Sequence, residues 1–105
     1  YTIMKEEPFG PLVPILTFKN FDEVIERAND NDLGLCSYLY TNSMDKAHIG
    51  SEKLETGCVA VNTGVVALAE APFGGIKQTG YGREGGSGAI KDYLNVKYTH
   101  MGLKI

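Results

Sequence analysis

Residues 20–62 decide the fold, and they read NFDEVIERANDNDLGLCSYLYTNSMDKAHIGSEKLETGCVAVN. Asn20 can cap a helix, Glu23 is placed as its capping-box partner, and the apolar residues that follow recur at helical spacing. This helix is predicted to end in the polar cluster Asn29–Asp32. Leu35–Thr41 follows and is predicted to be a strand, because it is a short apolar run behind a glycine.

A second helix is predicted to begin at Asn42 or Ser43 and to stop at Gly57. Cys58–Asn62 is then a nearly unbroken apolar strand of the kind that is buried on both faces of a parallel sheet. Upstream, Leu12–Phe18 is a further apolar run, and its proline favours a strand end or an edge strand. Strand, helix, strand, helix, strand is the order typical of an α/β fold with right-handed crossovers.

The remaining residues have a different character. Thr63–Gly88 is predicted to be mostly loop, and a loop of that length is functional or is covered by another part of a longer protein. A short helix is predicted over Gly88–Leu94. Asn95–Met101 alternates apolar and polar residues, which indicates a half-exposed strand with no obvious partner in the chain. Because an unpaired strand calls for a partner, and because the chain begins at Tyr1, we expect a piece of a longer protein.

Composition excludes several classes of protein. A hydrophobic content of 43% with 22% charged residues is too apolar for a disordered chain, and no apolar run is long enough to span a membrane. The net charge of −3 gives no electrostatic basis for binding nucleic acid or an anionic membrane surface. Two cysteines and no secretory signal lead us to expect a reducing, cytoplasmic compartment.

Two apparent motifs are better explained structurally. Gly80–Gly85 matches the dinucleotide-binding pattern G-x-G-x-x-G, but no strand precedes it and no acidic residue lies about 20 residues downstream. We expect its glycines to supply positive φ angles in a loop. Cys36 and His48 have no third orienting group, so a catalytic pair is not predicted. The two histidines and two cysteines lack metal-ligand spacing, so no metal site is predicted either.

A third motif is more informative. Glu6–Pro11, which reads EEPFGP, joins carboxylates and an aromatic ring in a segment that two prolines make stiff. Such a turn can present one carboxylate and one ring face with little conformational entropy left to lose on binding. A plain surface turn with a buried phenylalanine is the alternative interpretation.

Together with Asn62 and Pro72–Gly85 (PFGGIKQTGYGREG), Glu6–Pro11 resembles the C-terminal part of the NAD(P)-dependent aldehyde dehydrogenases. The resemblance covers essentially the whole chain, and within the family it is strongest to the succinate-semialdehyde dehydrogenase branch. It implies part of a three-layer α/β/α catalytic domain over residues 1–94 and an oligomerisation strand and tail over residues 95–105. The homo-oligomer so implied is a dimer or a tetramer.

The resemblance also implies roles for individual residues. Glu7 matches the glutamate that binds the hydroxyls of the nicotinamide ribose, and Phe9 matches the aromatic residue beside the nicotinamide. Phe73 matches a wall of the aldehyde pocket, and the loop Thr63–Ala71 is expected to line its entrance. Ala67 stands where the branch carries a serine that holds the substrate carboxylate, and a methyl group cannot replace that donor.

The implied cofactor is NAD or NADP, and the implied substrate is a small-molecule aldehyde, with succinate semialdehyde as the first candidate. The family's nucleophilic cysteine, general-base glutamate and cofactor-binding glycines belong to segments before this chain, and neither Cys36 nor Cys58 matches the nucleophile. We therefore expect no catalytic residue in this chain and no activity from it alone. The alternatives are a dehydrogenase of another semialdehyde or an aliphatic aldehyde, or a stand-alone interaction module that acts by β-strand addition.

Overall fold

The structure is a computed structural model that describes residues 2–104. Its elements follow the order of the chain: a 3-10 helix Thr2–Met4, α1 Phe21–Asn29, β1 Leu33–Gly34, β2 Cys36–Leu39, α2 Met44–Lys53, β3 Cys58–Val61, β4 Ile76–Lys77 and a second 3-10 helix Ala89–Tyr93. Within residues 2–104, no helix has the length and apolar character needed to cross a membrane. The predicted short helix at Gly88–Leu94 is thus present as a 3-10 helix.

Helix α1 begins as predicted. The side chain of Asn20 accepts a hydrogen bond from the backbone N–H of Glu23 at 2.9 Å, which satisfies one free donor of the first turn. The Glu23 carboxylate accepts in return from the N–H of Lys19 at 2.9 Å, one residue before the position that a capping box uses. Ile25 is the buried side chain of this helix.

Helix α2 begins at the predicted place and ends earlier than predicted. Ser43 caps it by accepting from the N–H of Lys46 at 3.3 Å. The helix stops at Lys53, and the prediction that Gly57 ends it is wrong. Leu54 leaves the helix with extended backbone (ψ 120°), so no residue with left-handed backbone is needed there.

The sheet contains the predicted parallel pair. Strands β2 and β3, which precede and follow α2 in the chain, pair directly in parallel, with Cys36 opposite Cys58 and Leu39 opposite Val61. β1 and β4 form a separate antiparallel pair that the sequence analysis did not predict. The expectation that β3 is buried on both faces is wrong for this chain, because Ala60 is the one buried residue of that strand.

Two predicted strands have no partner among residues 2–104. Leu12–Phe18 was predicted to be a strand, and this is wrong within the described chain, where it pairs with no other segment. The carbonyl of Thr17 instead accepts a hydrogen bond from the guanidinium of Arg27 at 2.8 Å. Asn95–Met101 also forms no paired strand, so its strand character stays a prediction that depends on a partner.

The chain leaves an unusual amount of apolar surface exposed. Ile25 and Ala60 are the buried hydrophobic residues of the described chain. The accessible surface is 9269 Å², whereas a compact protein of this mass exposes about 5,800 Å². The radius of gyration is 19.5 Å, against about 13 Å for a compact domain of this length. The described chain therefore needs further protein surface to cover its apolar side chains.

A polar network joins the ends of the two helices. The amine of Lys77 donates to the carbonyls of Asn29 and Asn31, each at 2.9 Å, and pairs with the Glu55 carboxylate at 2.6 Å. The Asn29 side chain donates to the carbonyl of Lys53 at 2.7 Å and accepts from the N–H of Glu55 at 2.9 Å. One lysine thereby places a positive charge at the C-terminal end of α1, where the helix dipole favours it.

We expect Lys77→Met to loosen this junction. The change removes two hydrogen bonds and an ion pair from a side chain that is 26% exposed, a loss of about 1–3 kcal/mol. Amides at the end of α1 should then exchange about 10- to 100-fold faster in the full-length protein, as measured by hydrogen–deuterium exchange. The matched control is Lys53→Met, because the Lys53 amine lies 4.0 Å from an exposed Asp22. Equal exchange in both variants would contradict the assigned role of Lys77.

Candidate functional site

The Glu7–Phe9 segment is presented to solvent. Glu7 is exposed, and its carboxylate accepts no hydrogen bond from the described residues. It lines a cavity of about 370 Å³ together with Leu35, Cys36 and other residues of α1, β1 and β2. The ring of Phe9 is 96% exposed. A free carboxylate and a free ring face, two residues apart, are thus available to a ligand or to further protein.

Ala67 and Phe73 lie in one cavity, although five residues of loop separate them. The cavity measures about 250 Å³, and its lining residues are Ala67, Leu68, Ala69, Phe73, Glu84 and Gly85. Apart from the Glu84 side chain, the groups offered here are apolar or backbone. A ligand that enters this cavity therefore meets mainly methyl groups and an aromatic ring.

Backbone pairing fixes the position of Phe73. Its N–H donates to the carbonyl of Glu84 at 2.7 Å, and the N–H of Glu84 donates back at 2.8 Å. The Arg83 guanidinium donates to the carbonyls of Gly75 at 2.8 Å and Gly82 at 2.6 Å. A long loop is thereby held closed on itself, and the ring of Phe73 is carried on a fixed backbone.

The glycines of the G-x-G-x-x-G pattern adopt turn conformations in this loop. Gly80, Gly82 and Gly85 have φ angles of 122°, 79° and 68°. Only glycine takes such angles without steric cost, and no helix begins at Gly85 to receive a pyrophosphate. The expectation that no strand precedes them is wrong, because β4 ends at Lys77, but β4 is a two-residue strand that pairs antiparallel with β1. A turn, and not a dinucleotide fingerprint, is the interpretation that fits this geometry.

Three cavities adjoin one another. The cavity of Glu7 shares Leu35 and Thr79 with a second cavity of about 320 Å³, which Phe73 also lines. The second cavity adjoins that of Ala67 through the shared ring of Phe73. The structure thus brings Glu7, Phe73 and Ala67 to neighbouring cavities of one surface, while Phe9 lies outside all three.

The Cys36 thiol does not have the environment of an activated nucleophile. Cys36 and Cys58 are free thiols of intermediate exposure. Burial, followed by the neighbouring Cys58, raises the pKa of the Cys36 thiol, which lowers the thiolate fraction at neutral pH. His48 lies on α2 and is 3.8 Å from the Glu52 carboxylate, with both side chains largely exposed. Among residues 2–104, no cluster of three or more His, Cys, Asp or Glu side chains could hold a metal ion.

Sequence reasoning did not find the role of Asn62. Its amide accepts from the N–H of Thr41 at 2.9 Å and donates to the carbonyl of Thr41 at 2.8 Å, which ties the ends of β2 and β3 together. Its φ of 55° is left-handed and turns the chain from β3 into the loop of Ala67. Asparagine at the end of an apolar run was the available signal, because asparagine tolerates this backbone conformation.

The sequence profile described as "Aldehyde dehydrogenase family" matches residues 1–99. The chain is 46% identical over 96% of its length to the NADP(+) succinate-semialdehyde dehydrogenase GabD of Escherichia coli. It is 49% identical over 91% of its length to the glutarate-semialdehyde dehydrogenase of Pseudomonas putida. It covers 21% and 20% of these two proteins, so the chain spans about a fifth of the curated relatives it matches.

Solved structures give the same result. A crystal structure of an NADP-dependent enzyme of E. coli matches 97% of this chain with a TM-score of 0.91 and 46% identity, over 21% of its own chain. The NAD+ complex of an aldehyde dehydrogenase from Bacillus cereus matches 91% with a TM-score of 0.88 and 47% identity, over 20% of its chain. The predicted α/β class, as part of this family's fold, is confirmed.

Gly57 sets how closely the Phe73 loop approaches β3, and Gly57→Ala tests this contact. An alanine Cβ would overlap the Gly74 carbonyl and lie 2.9 Å from the Cα of Gly75. We expect a loss of about 1–3 kcal/mol, read as a lower urea midpoint of the full-length protein. Gly64→Ala is the matched control, because nothing lies within 4 Å of its added Cβ. Equal midpoints for the two variants would show that the loop does not rest on β3.

Proposed function

This chain belongs to the aldehyde dehydrogenase family, and we propose that it is the C-terminal part of such an enzyme. Residues 1–94 are the C-terminal part of its catalytic domain, and residues 95–105 are its assembly segment. The intact enzyme oxidises an aldehyde to a carboxylic acid with NAD or NADP. The free thiols Cys36 and Cys58 fit a reducing compartment such as the cytoplasm.

The observation that carries this proposal is the line of adjoining cavities from Glu7 to Phe73 and Ala67. Hydride transfer requires the cofactor and the aldehyde side by side at a distance that the protein fixes. Glu7 stands at one end of the line, and the apolar residues stand at the other. The exposed apolar surface agrees with an opposing wall that the rest of a longer protein supplies.

The residues present fit the cofactor end of such a site. The Glu7 carboxylate has two acceptor oxygens, which suit the two neighbouring hydroxyl donors of a ribose. The ring of Phe9, fully open in this chain, offers a face on which a nicotinamide can pack. NAD(P)+ supplies the hydride acceptor when bound. Glu7 and Phe9 contribute to orientation only, so this chain alone is expected to be inactive, with the nucleophile and general base on other segments.

The aldehyde end is built from Phe73 and Ala67. Their cavity is mostly apolar, which suits the carbon chain of a small aldehyde. The related enzymes are named for succinate semialdehyde, glutarate semialdehyde and 3-sulfolactaldehyde, each of which carries an acidic group. We therefore place succinate semialdehyde first. Another semialdehyde or an aliphatic aldehyde comes second, and it stays a candidate because the Ala67 methyl gives an acidic group no hydrogen-bond donor.

Residues 95–101 support an alternative function of a different class, that of an interaction module. Residues 95–101 have no partner within the described chain, and the Val96 and Tyr98 side chains are fully or largely exposed. In the enzyme they would join the sheet of a neighbouring subunit, and in a stand-alone interaction module they would join the sheet of another protein. Several hundred upstream residues with a cofactor-binding segment and a reactive cysteine would exclude the module.

Glu7→Gln tests the cofactor role in the full-length enzyme. The amide keeps the size of the side chain but loses the charge-assisted acceptor, so kcat/KM should fall about 10- to 100-fold. Glu6→Gln is the matched control, because it makes the same chemical change one residue away. Steady-state kinetics at several cofactor concentrations measure both. Equal kinetics of Glu7→Gln and the parent enzyme would remove Glu7 from the site.

Ala67→Ser tests the substrate end. The added hydroxyl can donate to a carboxylate, so kcat/KM for succinate semialdehyde should rise about tenfold relative to butanal. Ala69→Ser places the same hydroxyl elsewhere in the cavity and should change the ratio less. In the parent enzyme we expect succinate semialdehyde to be the better substrate. Equal values for both aldehydes in the parent would contradict the choice of substrate.

Deletion of residues 95–105 tests the assembly role. Loss of an intersubunit strand removes main-chain hydrogen bonds between protomers, so the full-length enzyme should sediment as smaller species. Tyr98→Thr, which keeps a β-prone residue at an exposed position, is the control and should leave the sedimentation profile unchanged. An unchanged profile of the deletion variant would contradict the assembly role.

A further inference from the structure

The two cysteines of this chain begin two neighbouring strands in register. Cys36 is the first residue of β2, Cys58 is the first residue of β3, and the parallel pairing places them directly opposite each other. In a parallel pair, register partners point to the same face of the sheet. Two thiols separated by 21 residues of sequence are thus side by side.

The Cys58 thiol also influences the Cys36 thiol. Cys58 is near enough to Cys36 to raise its pKa through charge and hydrogen bonding, after the larger effect of burial. The Sγ of Cys58 lies 3.8 Å from the carbonyl oxygen of Gly74 and makes a weak hydrogen bond to it. Cys36 lines the cavity of about 370 Å³ that also contains Glu7, so a reagent as small as a peroxide has room to reach Cys36 there.

The spacing of strands suits a covalent link between these residues. Neighbouring strands lie about 4.8 Å apart, and disulfide-bonded cysteines have Cα atoms about 4.4–6.8 Å apart. Cβ atoms of register partners share the strand spacing of about 4.8 Å, whereas disulfides prefer about 3.8 Å. The bond can therefore form after a small approach of the strands, and the strain makes it easy to reduce.

We propose that Cys36 and Cys58 form a reversible disulfide across β2 and β3 when the protein meets a peroxide. One sulfur attacks a peroxide oxygen, the O–O bond breaks, and the attacking thiol's proton leaves with the departing oxygen as water. The second sulfur then attacks the resulting sulfenic acid, and a second water leaves as the S–S bond forms. Two thiols are oxidised by two electrons, and hydrogen peroxide is reduced to two waters.

The proposed disulfide uses neither cofactor nor aldehyde, although Cys36 lines the same cavity as Glu7. The bond would fasten the start of β2 to the start of β3. It would also take away the thiol hydrogen that Cys58 donates to the Gly74 carbonyl, next to Phe73. The disulfide can therefore be detected locally, as a change in hydrogen–deuterium exchange of the amides around Gly74, independently of the activity of the protein.

The test is peptide mapping of the full-length protein after treatment with hydrogen peroxide and blocking of free thiols with iodoacetamide. Trypsin separates the two cysteines, and the disulfide would join peptides 28–46 and 54–77. The expected result is this cross-linked peptide, which disappears when reduced glutathione is added before digestion. Separate sulfenic or sulfinic cysteines, or two alkylated thiols, would overturn the proposal.

A register control separates native pairing from chance contact. The double change Cys58→Ser and Val59→Cys keeps two cysteines but moves one to the opposite face of the sheet, because successive side chains of a strand alternate. We expect the cross-link to Cys36 to fall at least about tenfold in this variant. Equal cross-linking in the parent and the register variant would show that the bond forms in unfolded chains, and would overturn the proposal.

Discussion

The parallel pairing of β2 with β3 depends on apolar cover that this chain does not supply by itself. The two strands and two helices bury Ile25 and Ala60, and the exposed surface exceeds that of a compact protein of this mass by roughly 3,500 Å². Hydrophobic burial is the main favourable contribution to folding, so a structure with this little burial is stable only when further protein covers it. The shape of the chain, its open cavities and its unpaired segments all follow from that constraint.

Polar contacts then determine how the glycine-rich loop lies on the helices and strands. Lys77 fixes one end of the loop to the helix ends, and Arg83 and the backbone pair Phe73–Glu84 close the loop on itself. Asn62 turns the chain out of β3 into the segment that carries Ala67. The proposed aldehyde cavity is therefore built by hydrogen bonds of the loop more than by a packed core.

The sequence predicted those elements whose signals are local. The cap at Asn20 and the apolar run Cys58–Asn62 predicted α1 and β3, because capping and apolar patterning act within a few residues. The pair β1–β4 was missed, since strands of two residues have no period to detect. The error at Leu12–Phe18 has another origin: a β-prone run forms a strand only if a neighbour accepts its hydrogen bonds. The closeness of Ala67 and Phe73 followed from family resemblance, because loop closure by long-range hydrogen bonds leaves no pattern in the sequence.

The dependence on outside cover is tested most directly by urea unfolding of the isolated 105-residue chain, followed by far-ultraviolet circular dichroism. A chain without its own core should lose helix signal gradually, with no cooperative transition. A single sharp transition of a monomer would contradict the account, if its unfolding free energy depends on urea concentration as steeply as that of a compact domain of this length. Such a result would show that these helices and strands are stable by themselves.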